Sequence, residues 1–428
     1  MKIRIYPNKK QKLFFNKCFG TTRYIYNSVV RFINDKIKEK KNELQNLKKS
    51  GCVHIMNKKQ CKKNINEKSI YFCQKHLNQK IKYDFKLNLP YLRKMIMIND
   101  KNLPEDMLWL KEIPYDTRQL VIKDFIAAYK SAISNYKAGH NNGFTMKYKR
   151  KKMSSQIFHI NYRGLKIINN KINLFKRRKI GFLRMRKKMR KWINKNIKSI
   201  DNDSKIIKYN SGEYYLLLNV KNKTVKKEAC CKSVSLDPGV RTFQTFYSPD
   251  GIAGKIGNNI CNKKLYIIGK KIDKLQSKKI KENSKRRKNI SKRQSILRTK
   301  IKNVVNDLHW KCSHFLCANF ETIIMPKFET KKMTKKVNRN IKSKAVRNML
   351  SLSHYKFLQR LKFKCNQYNR NLIICSEEYT SKTCGLCGYI NENLKGNKIF
   401  NCEKCKTSID RDLNGARNIM IKCCATKK

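Results

Sequence analysis

The chain has 428 residues, room for two to four domains, and its 102 Lys and Arg against 28 Asp and Glu leave a formal net charge of +74. No ordinary fold needs that excess; a long polyanion is its natural counterweight, because each cation that meets a phosphate releases a condensed counterion. The charge runs along the whole sequence instead of gathering on one amphipathic helix or tail, which argues against an anionic membrane as the partner.

Residues 1–10 hold no apolar stretch of signal-peptide length, and no apolar run reaches the roughly 18 residues that span a bilayer. The 17 cysteines are therefore expected in a reducing compartment, where paired spacings read as metal sites. Residues 2–6 (KIRIY) alternate as a short strand that Pro7 ends. From 9 to about 47, Leu13, Phe14, Cys18, Tyr24, Val30 and Ile33 keep returning to one helical face. Residues 79–138 read as helical again, with Leu120, Ile122, Phe125, Ile126, Tyr129 and Ile133 as the apolar stripe and Gly139 and Gly143 as the stop. Between 145 and 226 the pattern shifts to short β-branched and aromatic runs at 156–160, 171–175 and 213–220, which predict a small β-domain. A new domain opens near 231, with strands at 232–237 and 241–247 and an SPDG hairpin turn at 248–251. The segment 262–318 has the spacing of long, intensely basic surface helices.

The strongest local signal is Cys384-x-x-Cys387 followed, 14 residues on, by Cys402-x-x-Cys405. Two such knuckles supply four thiolates for one tetrahedral zinc, and four protein ligands leave no open position, so this zinc is scaffold. Asp237 ends an apolar strand (SVSLD) just before Pro238 and Gly239. Directly after the knuckles, Leu413, Ala416, Ile419 and Met420 recur at helical spacing and put Asp412 at a helix start. Singly, Asp237 reads equally as a turn residue and Asp412 as a helix cap. Together, in a chain this poor in acids, they point to carboxylates that hold two Mg²⁺ ions for phosphodiester hydrolysis. A second zinc set, Cys52, Cys61, Cys73 and His76 within the stretch 51–76, competes with incidental cysteines in a basic loop. Lys285, Arg286, Arg287 and Lys288 read either as a solvated face or as phosphate contacts, and Lys382 and Arg411 are further nucleic-acid candidates.

DPGVRTFQT (237–245), YTSKTCGLCG (379–388) and DRDLNGARNI (410–419) resemble the TnpB family of transposon-encoded RNA-guided nucleases, relatives of the type V CRISPR effectors. IIMPKFETKKM (323–333) and RNMLSLSHYKFLQRL (347–361) are closer to Fanzor, the eukaryotic and giant-virus branch. The resemblance covers nearly the whole chain. It implies a multidomain α+β and α/β protein: a wedge-like β-barrel from 1–8 and 145–228, interrupted by a helical recognition domain over 9–144, and then a RuvC (RNase H-like) domain over 229–428 holding a zinc ribbon at 380–408. It also implies a guide RNA and target double-stranded DNA as partners, a monomeric ribonucleoprotein, and the nucleus of a eukaryotic host as the place of action. Asp237 and Asp412 match the family's first and last catalytic carboxylates. The middle glutamate does not match, because Pro326 stands where it would fall and proline binds no metal. Fanzor proteins resemble one another in moving that glutamate to just before the YTSKTC motif, which here is Glu377. Strand alternation lets only one of Glu377 and Glu378 face the site, and Glu377 is the assignment; Glu321 and Glu329 are the weaker rivals.

The leading expectation is thus a guide-RNA-directed DNA endonuclease with Asp237, Glu377 and Asp412 as its catalytic and Mg²⁺-binding set. The alternative is a nuclease-dead nucleic-acid-binding regulator, which Pro326 keeps open. A strand-transferring transposase is weaker, since the chain contains no HxH motif.

Overall fold

The computed structural model describes residues 1–46, 55–56, 59–60, 87–96, 103–140, 145–169, 171–197, 199–220, 224–225, 228–334, 341–376, 378–392 and 397–425. Glu377 and the set Cys52, Cys61, Cys73 and His76 lie outside the described residues. The chain divides into two compact units, Met1–Val220 and Lys221–Lys428.

In the first unit, strand β1 (Lys2–Ile5) leads into helix α1 (Lys9–Asn46). Asn8 starts the helix with a reciprocal cap: the Gln11 amide N–H donates to Asn8 Oδ1 at 2.8 Å and the Asn8 amide N–H donates to Gln11 Oε1 at 3.2 Å. The single helical stretch expected over 79–138 is broken. It comprises α2 (Leu89–Met95), a 3₁₀ turn (Glu105–Glu112) and α3 (Tyr115–Lys137). Prolines explain the breaks, since Pro104 and Pro114 stand immediately before the last two pieces and disfavour helix in the residue preceding each of them. Ile122, Phe125, Ile126 and Tyr129 of the expected stripe share a core with Ile25, Val29, Val30 and Ile33 of α1, and Val121, outside that stripe, joins them.

The remainder of this unit is β2 (Ser155–Ile160), β3 (Leu165–Ile168), β4 (Lys171–Leu174), β5 (Gly181–Phe182), helix α4 (Lys187–Asn196), β6 (Ser204–Tyr209) and β7 (Tyr214–Leu217). β1 pairs antiparallel with β7, in the four-stranded order β1-β7-β6-β2; β3, β4 and β5 form a separate three-stranded meander. Both sheets surround one core that includes Ile3, Phe15, Phe158, Leu174, Ile206 and Leu216. β1 to β7 form two sheets around a shared core. Asp124 of α3 meets His159 of β2 at 3.4 Å and Lys149 at 3.3 Å, tying helix to sheet.

The second unit is built on β8 (Cys231–Pro238), β9 (Gln244–Tyr247), β10 (Ala253–Ile256), helices α5 (Tyr266–Ile280) and α6 (Ser284–Asn319), and β11 (Phe320–Pro326). Helices α7 (Ser343–Leu352) and α8 (His354–Tyr368) and strand β12 (Asn371–Cys375) follow, then β13 (Ile399–Asn401), β14 (Ser408–Asp410) and α9 (Arg411–Ala425). The sheet order is β10-β9-β8-β11-β12, antiparallel among the first three strands and parallel from β8 to β12. Alternation sorts its two faces. Val234, Leu236, Phe246, Ile323 and Met325 point into a core with Leu316 of α6 and Phe357 and Leu361 of α8. Ile324 points the other way and packs under Ile419, Met420 and Cys423 of α9, with Tyr247, Ile373 and Cys375 at the edges. The sheet is thus covered on both faces, and its central strand carries Asp237.

Candidate functional site

Asp237 shares its face of β8 with Ser235, whose hydroxyl donates to the Ala416 carbonyl of α9 at 2.6 Å. That bond sets helix on strand, and the next turn of packing decides what stands at position 415. A Cβ there would come within 2.9 Å of Asp237 Oδ2 and 3.7 Å of Ser381 Oγ, so only glycine lets the helix backbone lie against the carboxylate. Asp412 sits in the first turn of α9. Asp237 and Asp412 line one cavity of about 390 Å³, together with Arg241, Lys255, Ser381, Asp410 and Arg411. The two aspartates singled out from sequence are brought together.

Asp410 was not singled out. Its Oδ1 accepts the amide N–H groups of Asp412 at 3.1 Å and Leu413 at 3.2 Å, making it the N-cap of α9. Its Oδ2 lies 2.5 Å from Lys255 Nζ. Partial burial pushes its pKa up, but Lys255 and the two amides outweigh that and hold the carboxyl below its ordinary range.

The four cysteines converge. Cys384, Cys387, Cys402 and Cys405 offer sulfurs that all lie within 4.8 Å of one another. The Cys384–Cys405 and Cys387–Cys402 Sγ separations are 3.7 and 3.5 Å. Tetrahedral zinc with bonds of about 2.3 Å separates its sulfurs by roughly 3.8 Å, so the set fits that ion. Gly388, at φ +76°, makes the tight turn of the first knuckle. The hairpin of β13 and β14 carries the second, with Phe400 buried beneath the sulfurs. Bonds with Thr407 bring the Cys405 thiol down to about 6, against a smaller upward push from burial, towards the thiolate that a metal needs.

Two buried asparagines one turn apart on α9 join the ribbon to the site. Asn414 Oδ1 accepts the Gly385 amide N–H at 2.9 Å, and its Nδ2 donates to the Thr383 carbonyl at 2.7 Å. Asn418 Nδ2 donates to the Thr380 and Thr383 carbonyls at 2.8 and 2.7 Å. Neither asparagine was singled out from the sequence; their partners are more than 25 residues away in it.

Residues 354–419 match the family described as Cas12f1-like, TNB domain, and residues 1–42 match a helix-turn-helix domain family. In this chain the latter segment is one strand followed by a single long helix. A Paramecium bursaria Chlorella virus 1 protein named "Putative transposase A625R" is 28% identical over 100% of this chain and 87% of its own length. "TnpB-like protein L79" of Acanthamoeba polyphaga mimivirus is 28% identical, covering 98% of this chain and 72% of that protein. The chain belongs to the TnpB-like family. A more distant relative of this TnpB-like protein, "Putative RNA-guided DNA endonuclease InsQ" of Escherichia coli (strain K12), is 24% identical over 76% of the chain and 78% of its own length.

Within this TnpB-like chain, the other expected residues fall as follows. Pro326 is buried at the end of β11, paired with Cys375 and on the face of Ile324 that α9 covers. Glu378 is exposed, and its carbonyl accepts from Lys422 Nζ at 3.1 Å. Lys422 is 422 − 412 = 10 residues beyond Asp412 on α9, about 15 Å along the axis. Glu321 is exposed at the far end of β11 from Pro326, and Glu329 pairs with Lys327 at 3.1 Å. Lys285, Arg286, Arg287 and Lys288 are exposed in the first turns of α6, where Arg286 meets Glu282 at 3.4 Å and Arg287 donates to the Ile280 carbonyl. Lys382 is half-buried beside the first knuckle, and Arg411 lines the Asp237 cavity.

Proposed function

We propose that this TnpB-like protein is an RNA-guided DNA endonuclease of RuvC type, from the Fanzor branch, that hydrolyses phosphodiesters with two Mg²⁺ ions. One observation carries the reading: Asp237 on the central strand and Asp412 on α9 open onto the same cavity, in a chain of net charge +74. Carboxylate oxygens are the ligands Mg²⁺ prefers, and ions held there would activate water and stabilise the leaving oxygen. Glu377 is the proposed third ligand. The mixed five-stranded sheet, covered by α9 on one face, supports the RNase H-like reading. Zinc in the four-cysteine ribbon is structural. Guide RNA and matched double-stranded DNA are the proposed partners, with sequence choice delegated to base pairing and action in a eukaryotic nucleus. The basic turns around Lys285–Lys288 and the cations Lys382 and Arg411 would meet phosphates.

The test purifies the chain with the RNA it carries, sequences that RNA, and offers DNA matching its variable end in Mg²⁺. Cleavage leaving a 3′-hydroxyl is expected, with Asp237→Asn and Asp412→Asn each slower by at least about 10²-fold. Buried Pro326 favours one competing reading, a nucleic-acid-binding regulator without nuclease activity. That reading prevails if wild type binds matched DNA, never cuts it, and behaves identically to Asp237→Asn at every Mg²⁺ concentration.

A further inference from the structure

In the cavity that holds Asp237 and Asp412 there is a third carboxylate, and both of its oxygens are already engaged. Asp410 Oδ1 accepts two amide N–H groups at the start of α9, one of them belonging to Asp412 itself. Oδ2 faces Lys255 Nζ at 2.5 Å. The lysine is placed by the sheet. Asp237 pairs with Thr245 across β8 and β9, and Thr245 pairs with Lys255 across β9 and β10. Directly paired residues in an antiparallel ladder point to the same face, so Asp237, Thr245 and Lys255 form one row on the α9 side. Strands lie about 4.8 Å apart, which puts the backbone of Lys255 roughly 10 Å from that of Asp237. A lysine stem spans that gap to the carboxylate that starts α9.

We propose that Asp410 and Lys255 are a pair of positioning residues for the nuclease site. This rests on the nuclease reading above. The pair fixes the first turn of α9 to the strand row that ends in Asp237, and so fixes Asp412 relative to Asp237. Lys255 also occupies the oxygen of Asp410 that would otherwise compete with Asp237 and Asp412 for divalent cations. Without the lysine the cavity gains a free third acid, and the first turn of α9 loses its tie to the sheet edge.

Asparagine caps a helix about as well as aspartate. Asp410→Asn therefore keeps the cap and removes the charge that Lys255 holds, whereas Asp410→Ala removes both. The experiment uses the full chain with its co-purified RNA, and measures single-turnover cleavage against Mg²⁺ together with thermal unfolding. Asp410→Asn and Lys255→Gln are each expected to unfold at the wild-type temperature while cutting about 10- to 100-fold more slowly at saturating Mg²⁺. The double variant should be no slower than either single one, and Lys255→Arg should recover most of the rate. The inference is overturned if Asp410→Asn cuts at the wild-type rate, which leaves Asp410 a helix cap alone. It is also overturned if Asp410→Asn raises the Mg²⁺ needed for half-maximal rate with no change at saturation, which makes Asp410 a metal ligand. A wild type no faster than Asp237→Asn sinks the nuclease reading instead, so the two failures are told apart.

Discussion

Gly415 matters for the atoms it lacks. A helix-interior glycine costs up to about 1 kcal/mol relative to alanine, so Gly415→Ala should stabilise α9 by propensity alone. Its new methyl would instead stand 2.9 Å from Asp237 Oδ2, and the carboxylate must move. The expected outcome is a split: a melting temperature within a few degrees of wild type, and cleavage slower by about 10-fold or more. Equal rates for the two proteins would show that Asp237 tolerates displacement. At this scale the sequence was half legible. Asp237 and Asp412 declared themselves by standing at a strand end and a helix start. Asp410 did not, because a capping aspartate looks like any other until Lys255, 155 residues upstream, is seen to reach it.

Helix α9 works as an element through two of its sides. One side places Ile419, Met420 and Cys423 against the sheet; another offers Asn414 and Asn418 to the backbone of the first cysteine knuckle. Asn418→Ala would remove one donor from the Thr380 carbonyl and leave that of Thr383 to Asn414, at about 1–3 kcal/mol for buried groups. Zinc should then leave the ribbon faster, by about 10-fold, when release is followed with a chromogenic chelator. Release at the wild-type rate would mean that the Asn418 bonds do not hold the knuckle. Two CxxC pairs made the ribbon itself readable. The clamp was not, since hydrogen bonds to main-chain carbonyls leave no pattern in the partner's sequence. Proline chemistry explains the other misreading: the apolar stripe that begins at Leu120 lies within α3, but Pro104 and Pro114 break the single helix expected over 79–138.

Across the molecule, composition points to the proposed polyanion partner, and the fold adds a pH limit that composition could not. Phe243 lies between His309 and His354, with ring centroids 5.0 and 5.3 Å away. Burial lowers the pKa of both, His309 to about 3 with the Arg360 charge adding to the effect, and His354 to about 4. The ordinary value is about 6.5, so both are neutral in the fold, and their contribution is complete above about pH 6.5. It is lost as pH falls towards 4, about 3 kcal/mol for His354 alone. Chemical denaturation of wild type should therefore weaken from pH 6.5 to 4, and His354→Leu should flatten the slope; parallel slopes would clear His354. The double use of α9 reaches further, into how such proteins exchange parts. A ribbon grafted from one relative onto another would meet foreign asparagines, and a grafted helix would meet a foreign strand. Productive chimeras should therefore cross over before Thr380 and after Cys423, carrying ribbon and helix as one block.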